Sequence, residues 1–277
     1  MIKKVAVIND LSGFGKCSLT AAIAVLSVMG VQPCPMPTAV LTNQTGYKNF
    51  HSIDLTEELP HYSEMWSAND KSFNGIYSGY VAGKEQIDII SDFIRKFRLS
   101  HTKVFVDPVM GDNGRLYSAY SSETCRKVCE LAKIADIITP NLTELCILAD
   151  TDYDRLTSFC NDKNYLEMIA DTAKKAISHE NQKIAVTGIK KGLFLYNGVF
   201  SKNSGHFERA VQYGDSFSGT GDIFASILCA SIINGEELET AVAKATGFLE
   251  EVIADTIKEP YERNDGVNFE KFLYKLH

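Results

Sequence analysis

Residues 218–235 read SGTGDIFASILCASIING. Gly219, Thr220 and Gly221 run into Asp222, and an apolar stretch of helical length follows. A helix N-terminus leaves backbone N–H groups unpaired and carries a partial positive charge. Glycines there let an anion approach the backbone, so Gly219, Thr220 and Gly221 read as an anion hole, most naturally for phosphate. Asp222 then falls in the first helical turn. It can complement the helix dipole, which is the commoner role of an acid in that place. It can also take a proton from an attacking hydroxyl while the N–H groups hold a transferring phosphoryl group. On chemistry alone the two roles weigh about equally.

A second glycine-bearing stretch, SGFGKCS at residues 12–18, invites comparison with a phosphate-binding P-loop. That motif needs a glycine five positions before the Gly-Lys pair and a Ser or Thr after it. Here Asp10 and Cys17 occupy those places. Lys16 therefore receives no P-loop role, and the stretch reads as a strand-to-helix turn.

The elements that would carry these residues alternate. Apolar strands are expected at Lys4–Ile8, Phe73–Tyr77, Lys103–Val106, Ile137–Thr139 and Lys183–Thr187, with a proline-punctuated extended stretch over Val31–Val40. Helices are expected over Leu19–Met29, Thr56–Asn69, Lys84–Arg98, Glu123–Ala135, from Asp222, over Leu238–Thr256, and from Phe269. Asn197-Gly198 lies between two apolar runs and predicts a hairpin turn. Strands alternating with helices imply an α/β fold: a mostly parallel central sheet with helices on both faces and an antiparallel hairpin at one edge. No linker or repeat divides the chain, so residues 1–277 read as a single domain. Ligands of such sheets bind beyond the carboxyl ends of the strands. The residues there are Asn9 and Asp10, Ser78 to Tyr80, Asp107 to Asp112, Asn141 to Glu144, and Thr187-Gly188. The set is polar and acidic, with carboxylates able to hold a metal and almost no cationic side chain.

Composition narrows the function classes. Of 277 residues, 45% are hydrophobic and 23% charged, a globular profile. Lys plus Arg number 28 against 35 acids, for a net charge of −7, and no basic stripe forms, which argues against nucleic acid as a partner. No apolar run spans a bilayer and none reads as a signal peptide, so a soluble cytoplasmic protein is expected. Seven cysteines with no CxxC spacing read as reduced thiols in a reducing compartment.

TAVLTNQTGY at 38–47, SGY at 78–80, DPVMGD at 107–112, TPNLTE at 139–144 and GTGD at 219–222 resemble, in order and spacing, the motifs of the ribokinase superfamily and, within it, the pyridoxal kinases. The resemblance covers nearly the whole chain. It implies a ribokinase-like fold and ATP-dependent phosphorylation of the hydroxymethyl group of pyridoxal, pyridoxine or pyridoxamine. It implies that Asp222 is the base and that Gly219, Thr220 and Gly221 hold the γ-phosphoryl group. Asp107, Thr139, Asn141 and Glu144 would lie on the nucleotide and magnesium side, with Asp107 and Glu144 toward the metal, and Thr187 would line the nucleotide site. Asn9, Thr45, Gly46 and Tyr80 would contact the vitamin, and Asp112 would lie near the phosphates or a covering loop. Magnesium and a monovalent cation, usually potassium, accompany ATP in the family, and its members often pair as homodimers.

The turn NDLSGFGKCS departs from the commonest pyridoxal-kinase form and is similar to that of the hydroxymethylpyrimidine kinases. This leaves Asn9 and Asp10 both open as the ring contact. Many hydroxymethylpyrimidine kinases, however, carry cysteine where this chain has Asp222. The rival readings are therefore a hydroxymethylpyrimidine kinase and a non-catalytic nucleotide-binding protein on the same fold. An intact base argues against the second.

Overall fold

The computed structural model describes residues 2–118, 120–214 and 216–277. In chain order the first half contains β1 (Lys4–Ser12), α1 (Ser18–Val28), β2 (Gln32–Leu41), β3 (Ser52–Asp54), α2 (Leu59–Ala68), β4 (Gly75–Ser78), α3 (Lys84–Phe97), β5 (Lys103–Val106), β6 (Gly111–Asp112), β7 (Arg115–Leu116) and α4 (Ser122–Lys133). The second contains β8 (Ile137–Ile138), α5 (Leu142–Leu148), α6 (Tyr153–Thr157), α7 (Tyr165–Ala176), β9 (Lys183–Lys191), β10 (Phe194–Phe200), β11 (Gly205–Val211), α8 (Thr220–Asn234) and α9 (Leu238–Thr256), then a 3-10 segment over Phe269–Leu276 where sequence suggested an α-helix. A nine-stranded sheet has the order β11-β10-β9-β8-β5-β4-β1-β2-β3. The strands from β9 to β2 run parallel, and antiparallel strands close both edges: β10 and β11 at one, β3 at the other. Among the described residues no helix is long and apolar enough to cross a membrane, and all seven cysteines are free.

Alternation along the strands creates two cores. Val5 and Val7 of β1, Tyr77, Phe105 and Ala185 face one layer with α1, α8 and α9. Ala6, Ile8, Ile76, Val104, Val106 and Ile184 face the other, with α3, α4, α5 and α7. In α3 the buried Ile87, Ile90, Phe93, Ile94 and Phe97 follow the spacing of one helix face. Helix α8 differs, being apolar all round, with ten buried residues between Ile223 and Ile233. It packs on α1, α9 and β4 together. Each fully buried aliphatic or aromatic side chain contributes about 1.5–3 kcal/mol, so α8 is held on every side and its N-terminus is fixed in space.

Two further expectations change. Strand β1 does not end at Ile8; it continues beside β2 to Ser12 through a register shift between Asn9 and Leu11. The turn thus begins at Gly13, and Asn9 and Asp10 belong to the strand. The hairpin forms, but its turn is not Asn197-Gly198, which lies inside β10. The chain reverses at Gly192, whose φ is +62°, and again between Phe200 and Gly205 to add β11. Gly198 is there because the Phe200 and Phe207 rings lie against its Cα, where a Cβ would meet them at 2.5 and 3.0 Å. Helix α7 and the small β6–β7 hairpin were not anticipated.

Candidate active site

The N-terminus of α8 is the centre of the site. Gly219 caps the helix in the left-handed region, with φ +80°. A Cβ there would sit 1.9 Å from the Lys16 carbonyl oxygen, so the turn after β1 and the turn before α8 interlock only with glycine at 219. Gly221 contrasts: it is exposed, and an added Cβ would meet nothing within 4 Å. Thr220 Oγ1 donates to the Phe217 carbonyl at 3.0 Å, closing the turn.

Asp222 is half-buried at the head of this helix. Asn9 Nδ2 donates to its Oδ1 at 3.2 Å, and the Ser18 backbone N–H at the start of α1 faces it and lowers its pKa. Burial is the main cause that pushes its pKa up to about 6; Asp10 adds to the rise, while the Ser18 and Asn9 donors oppose it. A carboxylate so tuned is a proton acceptor near neutral pH. Asn9 itself is fully enclosed. Its Oδ1 accepts the N–H groups of Asp10 at 3.0 Å and Tyr80 at 2.8 Å. Asn9, expected to touch a substrate ring, here orients Asp222 through one amide N–H and joins β1 to the end of β4 through its carbonyl oxygen. Asp10 is buried beside it and accepts from Ser12 Oγ at 2.8 Å, with its pKa raised by burial.

One flank lies at the ends of β5 and β8 and at the Thr187–Gly188 irregularity within β9. Asp107 accepts from Thr139 Oγ1 at 3.1 Å. Burial, and then the charge of Asp222, raise its pKa, which places the two carboxylates in one electrostatic neighbourhood. Asn141 and Glu144 form a capping box on α5: Asn141 Oδ1 accepts the Glu144 N–H at 3.0 Å, and Glu144 Oε2 accepts the Asn141 N–H at 2.9 Å. The other Glu144 oxygen accepts the Met110 N–H at 3.0 Å, and Asn141 Nδ2 donates to the Gly111 carbonyl at 2.8 Å. Burial and the charge of Asp107 hold the Glu144 pKa well up, against these backbone donors. Thr187 bridges to Asn141 from β9. The β6–β7 hairpin carrying Asp112 stands over this flank.

The opposite flank is the segment around Thr45, Gly46 and Tyr47. Thr45 and Gly46 are exposed. The segment is tied down by side chains that the sequence did not single out. Gln44 Nε2 donates to Ser218 Oγ and to the Asn264 carbonyl, both at 3.2 Å. Asn264 Nδ2 donates to the Gly46 carbonyl at 2.8 Å, Tyr47 OH bonds to Asp265, and the Phe14 ring meets Tyr47 edge-on at 6.0 Å. Tyr80, half-buried, lies 6.1 Å from the Tyr120 ring. Arg263 was also missed. Its Nε donates to Ser216 at 3.1 Å, and its guanidinium reaches toward Asp112 at 3.9 Å, bringing a cation to the mouth of a cleft that looked purely acidic. Lys16 points elsewhere, to Asn268 and Glu270. The distance of Arg263 and Asn264 from every recognisable motif hid them; the only signal was a polar RND triplet ahead of Gly266.

Ordered along the sheet edge, the residues run Thr187, Asn141 and Glu144, Asp107, Tyr80, Asn9 and Asp10, then Thr45 and Gly46, with Asp222 facing the middle. This sheet, with a glycine-opened helix terminus and a carboxylate beside it, defines a small-molecule kinase of the ribokinase-like fold. A family model described as phosphomethylpyrimidine kinase matches residues 15–266, and the chain belongs to that family. It is 27% identical over 282 residues to a Schizosaccharomyces pombe protein assigned as a pyridoxal kinase, covering 92% of this chain and 85% of the relative. A Bacteroides thetaiotaomicron protein, assigned as a phosphomethylpyrimidine kinase and crystallised with pyridoxal, is 35% identical, with TM-score 0.87 over 100% of this chain and 96% of that one. The Leishmania donovani pyridoxal kinase solved with ADP and pyridoxamine shares the fold at 24% identity, with TM-score 0.82 over 99% and 95% of the two chains.

Proposed function

We propose that the protein transfers the γ-phosphoryl group of ATP to the hydroxymethyl group of a B6 vitamer: pyridoxal, pyridoxine or pyridoxamine. The observation that carries this reading is Asp222, held by Asn9 at the glycine-opened N-terminus of α8, with burial raising its pKa to about 6. Asp222 takes the proton of the acceptor hydroxyl. That oxygen bonds to the γ-phosphorus while the bond to the β–γ bridging oxygen breaks, and ADP leaves. The backbone N–H groups of Gly219 to Gly221 and the dipole of α8 stabilise charge on the transferring oxygens. Thr187, Thr139 and Asn141 line the nucleotide flank. Tyr80 and the segment with Thr45 and Gly46 contact the vitamin, with Asn9 or Asp10 at the ring edge.

The donor set fits magnesium. Asp107 and Glu144 offer hard oxygen ligands, and magnesium is usually held by one or two carboxylates plus substrate phosphates. Among the described residues no group of three or more His, Cys, Asp or Glu side chains forms a metal cage, which matches an ion that arrives with a nucleotide. Asp107 would hold it directly. Glu144, each of whose oxygens already accepts a backbone N–H, would hold its water. When bound, the ion neutralises charge on the phosphates. Potassium and a dimeric assembly remain part of the reading through family likeness alone.

The Bacteroides relative crystallised with pyridoxal and the carboxylate at 222 support the B6 reading. The second reading, a hydroxymethylpyrimidine kinase, is favoured by the family description and by the turn after β1. The test is ATP turnover by the purified protein with and without pyridoxal. Vitamer-dependent ADP release supports the proposal, and turnover unchanged by any vitamer contradicts it.

A further inference from the structure

Asn197 is 4% exposed in the middle of an antiparallel strand, where an apolar residue would need no hydrogen-bond partner. On β9, Ile189 pairs with Tyr196 and Val186 with Gly198, so Thr187 and Gly188 together stand opposite Asn197. Two residues against one is a bulge, and bulges re-aim a strand at functional edges. Gly188 takes φ +71° there. The bulge breaks the ladder, and Asn197 replaces the lost partner: its Oδ1 accepts the Gly188 N–H at 3.1 Å. Its Nδ2 donates to Thr246 Oγ1 on α9 at 2.9 Å. Thr246 is buried as well. On the other side of the bulge, the Thr187 N–H donates to the Pro140 carbonyl at 2.9 Å, just ahead of the α5 capping box. Thr187 is half-buried and Gly188 exposed, so this is the point where β9 opens to the cleft.

We propose that Asn197 is a positioning residue for nucleotide binding: bonded to Thr246, it fixes the Thr187–Gly188 bulge and thereby sets nucleotide affinity while leaving the vitamer untouched. The inference rests on the reading that Thr187 lines the nucleotide site. A solely structural amide would lower stability and leave the two substrates equally affected. A positioning amide separates them, because the acceptor residues lie further along the sheet edge, beyond β8 and β5.

The test compares Asn197→Ala, Thr246→Val, Thr246→Ser and Thr187→Val by ADP calorimetry and by steady-state kinetics. Asn197→Ala should weaken ADP binding and raise the ATP KM about tenfold, the scale of one to two lost buried hydrogen bonds. The vitamer KM should stay within about twofold. Thr246→Val should move in the same direction by a smaller factor, and Thr246→Ser, which keeps the hydroxyl, should restore wild-type values. If Asn197→Ala does not fold, the Thr246→Val and Thr246→Ser pair decides: equal ADP affinities overturn the proposal. A folded Asn197→Ala with wild-type ADP affinity, beside a Thr187→Val that weakens it, overturns the proposal alone. Wild-type ADP affinity in Thr187→Val overturns both the proposal and the site assignment beneath it.

Discussion

On the flank with Asp107, Thr139 and Glu144, polar groups are buried or half-buried and bonded to backbone or to hydroxyls of adjacent elements. On the flank with Thr45 and Gly46 those two residues are exposed, and loops are tied to one another by half-buried side chains: Gln44 to Ser218, Asn264 to Gly46, Tyr47 to Asp265. A hydrogen bond made in water's presence contributes about 0.5–1.5 kcal/mol, while breaking a buried one leaves an unpaired group at about 1–3 kcal/mol or more. The first flank is therefore built to hold one shape, which suits the invariant polyphosphate of a nucleotide. The second is held by bonds weak enough to exchange with those of an incoming substrate, which suits the part of the reaction that differs between related kinases. Between them stands Asp222, fixed by the largely buried α8, and common to both.

The largest effect belongs to this central residue. Asp222→Asn should fold and bind ADP normally while kcat falls by about 10²–10⁴. A general base works deprotonated, so wild-type kcat/KM should rise with pH until about 6 and then level, falling about tenfold per unit below it. The variant should lack that limb. Near-wild-type turnover would return Asp222 to a helix-dipole role.

The two glycines at the helix head sharpen the contrast between fold and chemistry. Gly219→Ala forces a left-handed backbone onto alanine and drives its Cβ into the Lys16 carbonyl, so both thermal stability and activity should drop sharply. Gly221→Ala meets open space. It should leave the melting temperature within a degree or two and still reduce kcat, by about tenfold or more if its N–H faces the phosphoryl group. Unchanged kcat in Gly221→Ala removes that residue from the anion hole.

On the nucleotide flank, glutamine can still complete a capping box but turns its NH2 against the Met110 N–H that the lost oxygen accepted, so Glu144→Gln should fold with a lowered melting temperature. Its magnesium requirement should rise several-fold with vitamer KM unchanged; an identical magnesium titration would refute the assignment. On the acceptor flank, Asn264→Ala removes one clamp and should raise the vitamer KM by about two- to tenfold while leaving the ATP KM alone. Equal changes in both constants would erase the distinction between the flanks.

Much of the site was legible because its residues follow strands directly. Apolar runs ending at Asp107, Thr139 and Thr187 place those residues at the sheet edge by the geometry of parallel α/β folds alone, and GTGD announces a helix terminus in its own letters. What stayed hidden depends on contacts distant in sequence. Asn9 read as a free edge residue, because nothing in NDLSG reveals that Asp222, 213 positions on, engages its amide. Asn197-Gly198 matches the local signature of a type I′ turn, yet Thr246 and Gly188 satisfy its buried amide, and packing overrides the turn preference. Arg263 and Asn264 lie in an irregular stretch without periodicity, and only tertiary structure brings them to the cleft.

The most direct test of the account is a side-by-side measurement of kcat/KM for the B6 vitamers and for hydroxymethylpyrimidine, with ATP, magnesium and potassium present. The account predicts that at least one vitamer exceeds the pyrimidine by tenfold or more, about 1.4 kcal/mol in transition-state binding. An equal or reversed preference would contradict it, and would give the specificity to the turn after β1 that carries Asp10.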